Sequence, residues 1–304
     1  MVEKNRKKEE KIEYTFTNFK LRNKNPLVSV IVPAYNEERD IYACLKTLKE
    51  QTYKKIEIIF VDDGSMDKTL ATAGKFKGVK ILQQNHVGVG KARNFGAKIA
   101  RGEILGFVDA DMSFDKNFIK NLIQPIINEG VIGTIDGTQI ATNQDNIWSK
   151  CWGRYFQERP WPYGWVFRAM LKKDFERLGG FDPRLGYADD RTFFIKYGIK
   201  SKRVKNAICY HKNAENLKEV YKQSRWIGSS INQKWIKIPV INIIILMLII
   251  IALPIAIIPL ALRKCHKIKN FRVFFPWMII FITVRYLGTI AGIFRRIFLG
   301  KNIR

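Results

Sequence analysis

The stretch Gly102-Glu103-Ile104-Leu105-Gly106-Phe107-Val108-Asp109-Ala110-Asp111 decides the fold. Ile104 to Val108 is a short apolar run of the kind that forms a buried strand of a parallel sheet. It ends in two carboxylates, Asp109 and Asp111, with one small residue between them. In open α/β sheets, ligands bind beyond the carboxyl ends of the strands. Period-two geometry sends both side chains to the same side of the chain. Two hard oxygen ligands close together suit Mg²⁺ or Mn²⁺, ions that share their shell with substrate phosphates. An Asp-x-Asp pair also ends strands in plain solvated turns, so its neighbours must decide.

Upstream, Leu27-Val28-Ser29-Val30-Ile31-Val32-Pro33 reads as a first buried strand, closed by a proline that ends ladder pairing. Asn36-Glu37-Glu38-Arg39 predicts a helix with an Asn cap, running to about Gln51. Ile56 to Val61 is a second strand, followed by Asp62-Asp63-Gly64-Ser65-Met66-Asp67. That turn offers carboxylates, a glycine and a Ser cap for the next helix. Val79 to Leu82 gives a third strand, leading through Asn85-His86-Val87-Gly88-Val89-Gly90 into a helix from about Lys91 to Ala100. Strands alternating with helices predict a doubly wound parallel sheet whose polar turns share one edge. Gly88-x-Gly90 is not a dinucleotide fingerprint, because Arg93 stands where a third glycine belongs.

Downstream, the alternation breaks from about residue 130 to residue 214, and Trp148, Trp152, Trp161 and Trp165 cluster there. Pro160-Trp161-Pro162-Tyr163-Gly164 predicts an ordered loop. Asp182 to Asp190 forms a second acidic cluster ahead of a helix, Arg191 to Tyr197. Asn213 to Lys237 alternates apolar and basic positions with Trp226 and Trp235, the pattern of an interfacial amphipathic helix. Ile238 to Leu262 carries no charge and is long enough to span a bilayer; Val273 to Phe294 is nearly as apolar but carries Arg285. The loop between them holds five basic residues and no acid. Two full spans would place that loop opposite the N-terminal domain, against the positive-inside bias. Pro254 and Pro259 offer a re-entrant hairpin instead. Membrane attachment is the expectation, and its topology stays open.

The chain has 304 residues, 47% of them hydrophobic, which allows one large domain or two smaller ones. Its 53 basic against 27 acidic residues give a net charge of +26, a field that attracts nucleic acid, anionic lipid or phosphorylated substrates. There is no arginine-rich block, zinc-finger spacing or RNA-binding aromatic signature, so a membrane surface is expected rather than nucleic acid. Cys44, Cys151, Cys209 and Cys265 are far apart and suggest neither disulfides nor zinc, in keeping with a reducing cytoplasm. Met1 to Asn25 is polar, rich in lysine and without an apolar core. It reads as a flexible or surface-lying arm and not as a signal peptide.

With these pieces placed, the chain resembles the family-2 glycosyltransferases, inverting enzymes of the GT-A fold. The matching residues are Val30-Ile31-Val32-Pro33-Ala34-Tyr35-Asn36-Glu37 and Val61-Asp62-Asp63-Gly64-Ser65-Met66-Asp67-Lys68-Thr69. Gly90-Lys91-Ala92-Arg93-Asn94-Phe95-Gly96 and Asp109-Ala110-Asp111 follow, then Gly179-Gly180-Phe181-Asp182, the Asp189-Asp190 pair and Tyr210-His211. The resemblance implies a mostly parallel, Rossmann-like α/β sheet of GT-A type flanked by helices over residues 26–212. Residues 26–129 would form the nucleotide-sugar half and 130–212 the acceptor half. An arm (1–25), an interfacial amphipathic helix (213–237) and membrane-embedded segments (238–304) complete the expected organisation.

The resemblance also implies roles. Pro33, Tyr35 and Glu37 would hold the base and ribose, and Asp62 or Asp63 would accept from a base N–H. Arg93 would offer its fork of donors to the diphosphate or sugar. Asp111, assisted by Asp109, would hold Mn²⁺ or Mg²⁺ on the diphosphate. Asp190 would be the general base of a single in-line displacement, with Asp189 in the position where the family more often has Glu. His211 either completes the metal shell, contacts the diphosphate or is a buried structural histidine. Gln223-Ser224-Arg225-Trp226 is one residue shorter than the Gln-x-x-Arg-Trp signature of processive members. Arg225 and Trp226 either close over the donor or anchor the helix among headgroups. The membrane part is too small for a polymer channel. The expected activity is therefore transfer of a single hexose from a UDP- or GDP-sugar to a lipid-linked or glycan acceptor, with the catalytic domain facing the cytoplasm. A processive synthase and a non-catalytic basic membrane adaptor are the alternatives.

Overall fold

The computed structural model describes residues 21–152, 156–158, 163–230, 257–263, 265 and 271–299. The arm up to residue 20, the loop around Trp161, Trp235 and most of the first apolar segment lie outside the described residues.

The apolar runs become strands. β1 (Val28–Ala34) runs parallel to β2 (Ile56–Asp62) on one side and to β4 (Ile104–Phe107) on the other. Beyond β2 lies parallel β3 (Val79–Gln83). β1, β2 and β4 are buried on both faces, while β3 lies at the exposed edge. Alternation along β1 sends Val28, Val30 and Val32 into one core layer, with Ile41, Leu45 and Leu48 of α1 (Ile41–Lys49). Ile31 enters the opposite layer, with Ile59, Val61 and Ala92. Two-sided burial is why these runs are continuously apolar rather than alternating. Short α2 (Thr69–Ala73) and α3 (Val89–Ile99) complete the first half.

The second half, where the sequence pattern breaks, is also sheet. β5 (Met112–Phe114) and α4 (Phe118–Glu129) precede the long β6 (Gly133–Ala141). Short pieces follow: α5 (Ile147–Trp152), β7 (Phe156–Glu158), β8 (Tyr163–Gly164), β9 (Ala169–Leu171) and α6 (Lys172–Arg177). A 3₁₀ segment, Pro183–Arg191, runs into α7 (Thr192–Tyr197) and then β10 (Ser201–His211). The strand order is β3-β2-β1-β4-β9-β6-β10-β5, with β9 antiparallel to both its neighbours and β10 parallel to β6. The mixed α/β sheet with helices on both faces is the expected architecture, extended by antiparallel strands.

Local expectations need correction at two places. The helix expected from Asn36 begins at Ile41, because Asn36 sits at φ +56 and its side chain accepts from Met66 N at 2.8 Å. Ser65 does not cap α2; its hydroxyl accepts from Asn36 N at 3.0 Å, while Asp67 takes the amide of Thr69 at 2.9 Å.

The C-terminal helix Phe271–Leu299 packs on α8 (Leu217–Ser229), the described part of the amphipathic segment. Residues Phe275–Arg296 are long and apolar enough to cross a membrane, and only 28% of the most apolar window is buried, unlike the core helix of a soluble protein. The four cysteines are free and buried.

Candidate active site

The site forms where β4 ends. Phe107 N donates to Arg168 O at 2.8 Å and Val108 N to Ile31 O at 3.1 Å, so Asp109 emerges between β1 and the start of β9. Its carboxylate is forked between two arginines. Oδ1 accepts from Arg93 Nη2 at 2.6 Å and Oδ2 from Arg168 Nη1 at 2.8 Å. Arg93 reaches on to Asp189 Oδ1 at 2.6 Å, and Arg168 Nε donates to Asp136 Oδ1 at 3.2 Å. Both arginines and both outer carboxylates are buried. Buried charges persist only when paired, and here each acid faces a guanidinium. The two cations hold Asp109 well below the usual carboxylate range.

Arg93 is placed by α3, which packs its glycines tightly. A Cβ on Gly90 would lie 2.8 Å from Asp189 Oδ2. The next residue, Asn94, clamps the Gly-Gly-Phe-Asp turn: Nδ2 donates to Phe181 O at 2.8 Å and Oδ1 accepts from Phe181 N at 3.0 Å. The Ala92-Arg93-Asn94 stretch thus ties α3 to the loop that carries the second acidic cluster. Asp182 caps that loop, accepting from Arg184 N at 3.0 Å.

Asp190 is half-buried beside Asp189, and burial plus that neighbouring charge push its carboxyl up to about 6. Among the described residues, Asp189 Oδ2 and Asp190 Oδ1 have no hydrogen-bond partner. A buried carboxylate oxygen left open in this way is costly, and such groups gather at functional sites.

Asp111 is exposed just past the strand end. His211 lies across from Met112 in the β10–β5 register, one position from Asp111, and its Nδ1 is buried with no partner among the described residues. No cluster of three or more His, Cys, Asp or Glu exists among the described residues. A carboxylate in the turn before β5 and an imidazole at the end of β10 still fit an Mn²⁺ or Mg²⁺ ion that takes its remaining ligands from a diphosphate and water. Asp109, expected to assist, has both oxygens engaged by arginines.

The ends of β1 and β2 build a second cluster. Pro33 is buried at the strand end and Tyr35 stacks on His86 with ring centroids 3.8 Å apart. Asp63 is saturated: Oδ1 accepts from Gln84 Nε2 at 2.7 Å and Val87 N at 3.0 Å, and Oδ2 from Gly88 N at 2.9 Å. His86 Nδ1 also lies 2.9 Å from Asp63 Oδ2. The Asp62 carboxylate accepts weaker bonds, both from Ser65 N, at 3.4 Å on Oδ1 and 3.2 Å on Oδ2. Glu37 N donates to Thr69 Oγ1 at 2.7 Å, which ties its turn to the head of α2. Arg225 sits on α8 with its backbone against the C-terminal helix: a Cβ on Gly292 would lie 2.0 Å from Arg225 O.

Arg168, Asp136 and His86 were not singled out from sequence. Asp136 carried a signal, since a lone acid inside the strand Gly-Thr-Ile-Asp-Gly-Thr must find a cation when buried.

Glycosyl transferase family 2 matches residues 29–183, about half of the chain, from β1 to the loop before Asp189. The chain belongs to that family. The uncharacterized glycosyltransferase EpsJ of Bacillus subtilis is 43% identical over 219 residues, covering 64% of each chain. Glycosyltransferase GlyG of Streptococcus pneumoniae is 38% identical over 105 residues, 33% of this chain and 35% of that protein. The matched region thus spans about a third to two thirds of these curated relatives. Among solved structures, a mannosyltransferase from Pyrobaculum calidifontis in complex with GDP-Man and Mn²⁺ superposes with a TM-score of 0.53. It is 20% identical and 87% of each chain is covered. TarS of S. aureus in complex with UDP-GlcNAc gives 0.52 at 19% identity, covering 89% of this chain and 92% of that one. Both likenesses show the GT-A fold of the family-2 chain.

Proposed function

We propose that this family-2 chain is an inverting glycosyltransferase. It moves a single hexose from a UDP- or GDP-sugar to a lipid-linked acceptor at the cytoplasmic face of a membrane. The observation that carries the reading is Arg93 bridging Asp109 and Asp189 at 2.6 Å each. This one side chain joins the strand-end acids, on the donor side, to the acid pair that would serve the acceptor. An in-line displacement needs both in one site.

Asp190 takes the proton from the acceptor hydroxyl as its oxygen attacks the anomeric carbon, and the nucleoside diphosphate leaves from the opposite face with inversion. A base with its pKa lifted toward 6 holds the proton more readily than an ordinary carboxylate yet is ionised at neutral pH. Asp109 enters as the anchor that fixes the Arg93 and Arg168 guanidinia as donors at the site. Asp111, with His211, would hold Mn²⁺ or Mg²⁺, which neutralises charge on the leaving diphosphate when bound. Tyr35 and Pro33 would flank the base, with Asp62 rather than the saturated Asp63 left to accept from its N–H. Glu37 would face the ribose. Relatives of known structure were captured with GDP-Man and Mn²⁺ or with UDP-GlcNAc, which supports a nucleotide-sugar donor. The apolar Phe275–Arg296 helix supports a membrane-bound acceptor.

The test is nucleoside-diphosphate release by the full chain in detergent, across UDP- and GDP-sugars, with and without Mn²⁺ or Mg²⁺. Turnover of one donor that vanishes in Asp190→Asn, while that variant still binds the donor, is the expected result. Absence of both binding and turnover across the panel would sink the reading. A ladder of products would replace single transfer by polymerisation.

A further inference from the structure

The loop bearing Asp189 and Asp190 is held from two sides. Inside, Asp189 meets Arg93, and Thr192 Oγ1 donates to Asp189 O at 2.6 Å. Outside, the contact is with α8. Tyr187 N donates to Ser230 Oγ at 2.8 Å, and the Tyr187 ring stands edge-on to Trp226 at 4.9 Å and 88°. Ser230 Oγ donates in turn to Trp226 O at 2.9 Å, so a single hydroxyl joins the end of α8 to the loop.

Just before Tyr187, Gly186 adopts φ 55 and ψ −117, a turn that a residue with a Cβ resists. The chain reverses there, and its exit direction is therefore set by whatever grips Tyr187. That grip is itself anchored. A Cβ on Gly228 would lie 2.1 Å from Thr289 O, one on Gly288 2.7 Å from Tyr221 O, and one on Gly292 2.0 Å from Arg225 O. The backbones of α8 and the C-terminal helix touch along Ser224/Gly228 and Gly288/Gly292. Small residues four apart permit such close approach between helices in membranes.

We propose that Tyr187 is a positioning residue, through which the glycine seam of the membrane-attached helix pair sets the place of Asp190. The inference rests on Asp190 being the base, as read above. It gives the shortened Gln-Ser-Arg-Trp stretch a role: Trp226 grips the catalytic loop. The edge-to-face ring pair and the part-buried bond from the Tyr187 amide to the Ser230 hydroxyl are each modest, but together they fix a direction. A displacement of the base by about 1 Å costs on the order of 10²-fold in rate.

The experiment uses the full chain in detergent, with Tyr187→Ala, Tyr187→Phe and Gly292→Leu. Tyr187→Ala should lower kcat by about 10- to 100-fold and leave the donor KM within about twofold, while Tyr187→Phe, which keeps the ring, restores kcat. Gly292→Leu, which lies off the loop in the C-terminal helix, should give the same selective loss of kcat. Hydrogen exchange reads the linkage without turnover: Gly292→Leu should speed exchange of the 183–191 amides and spare β1 and β2. Unchanged exchange there overturns the proposal, whether or not any donor is turned over. Wild-type kcat in Tyr187→Ala overturns it as well. A wild-type chain that binds no donor, with the exchange linkage intact, would fault the transferase reading instead.

Discussion

Arg93 was legible from its motif, but its partners were not. A motif fixes a residue's identity, whereas Asp189 lies far along the chain and is brought in by the Asn94 clamp on Phe181. Arg168 was missed because a single arginine in an apolar stretch also reads as a surface residue. Only the sheet order, with β9 wedged between β4 and β6, aims it at Asp109 and Asp136. Replacing Arg168 with Met leaves Asp136 buried without its cation and should destabilise the fold by about 3–5 kcal/mol, measured by urea unfolding. As the proposed base, Asp190 would set the pH response. Its pKa is raised, so the active, ionised base accumulates as pH rises, and kcat/KM should climb through about pH 6 and then level. The stability sign follows from linkage. Between an ordinary carboxyl pKa and 6 the folded state keeps a proton that the unfolded chain has released, so this group's contribution to stability falls as pH rises through that window. Asp109 works in the opposite sense. Its lowered pKa contributes stability above the unfolded value that is lost as the solution is acidified below it. A flat pH–rate profile from 5 to 8 would remove Asp190 from the role of base.

At the level of elements, the strands were readable and the turns between them were not. Two-sided burial writes itself into a strand as an apolar run, and β1, β2 and β4 fall where those runs are. Local propensity places a helix at Asn36, but distant bonds override it. The amides of Asn36, Glu37 and Glu38 donate to Ser65, Thr69 and Asp67 at 3.0, 2.7 and 3.2 Å. The two motif turns after β1 and β2 are therefore one stitched unit, which explains why both carry small polar residues. Thr69→Val keeps the shape and removes the oxygen that accepts from Glu37 N. The orphaned amide should cost about 1–3 kcal/mol in thermal or urea unfolding. Donor affinity should fall with it, since Tyr35 and Glu37 leave the same turn; titration calorimetry with UDP and GDP reads this. Unaltered affinity would mean the stitching serves stability alone. β6 and β10 escaped sequence reading for a different reason. Both are long and half-polar, and the register of β10 shifts between Val204 and Ile208, so neither a continuous apolar run nor a clean alternation survives.

At the scale of the whole molecule, charge and the C-terminal helix act on the same surface by different physics. Trp277, Ile280, Leu287 and Phe294 are exposed at spacings that put them on one stripe of the helix. The opposite side buries Met278, Phe281 and Ile282 and closes on α8 through Gly288 and Gly292. One face is thus taken by protein, while the other is left exposed, as a lipid-facing stripe would be. The net charge of +26 adds a long-range attraction to anionic headgroups, worth about 1 kcal/mol per basic residue near the surface and screened by salt. The two contributions separate in a flotation assay. Neutral vesicles should retain the full chain at high salt, because apolar burial is insensitive to screening. Vesicles with phosphatidylserine should bind it more tightly at low salt and lose that excess as salt rises. Leu287→Lys places a charge mid-stripe, at a cost of about 2.5–3.5 kcal/mol for a helix centre in a bilayer. It should weaken retention on neutral vesicles while leaving the salt-sensitive part in place. If Leu287→Lys floats like the unaltered chain, the stripe faces protein rather than lipid, and attachment is electrostatic alone.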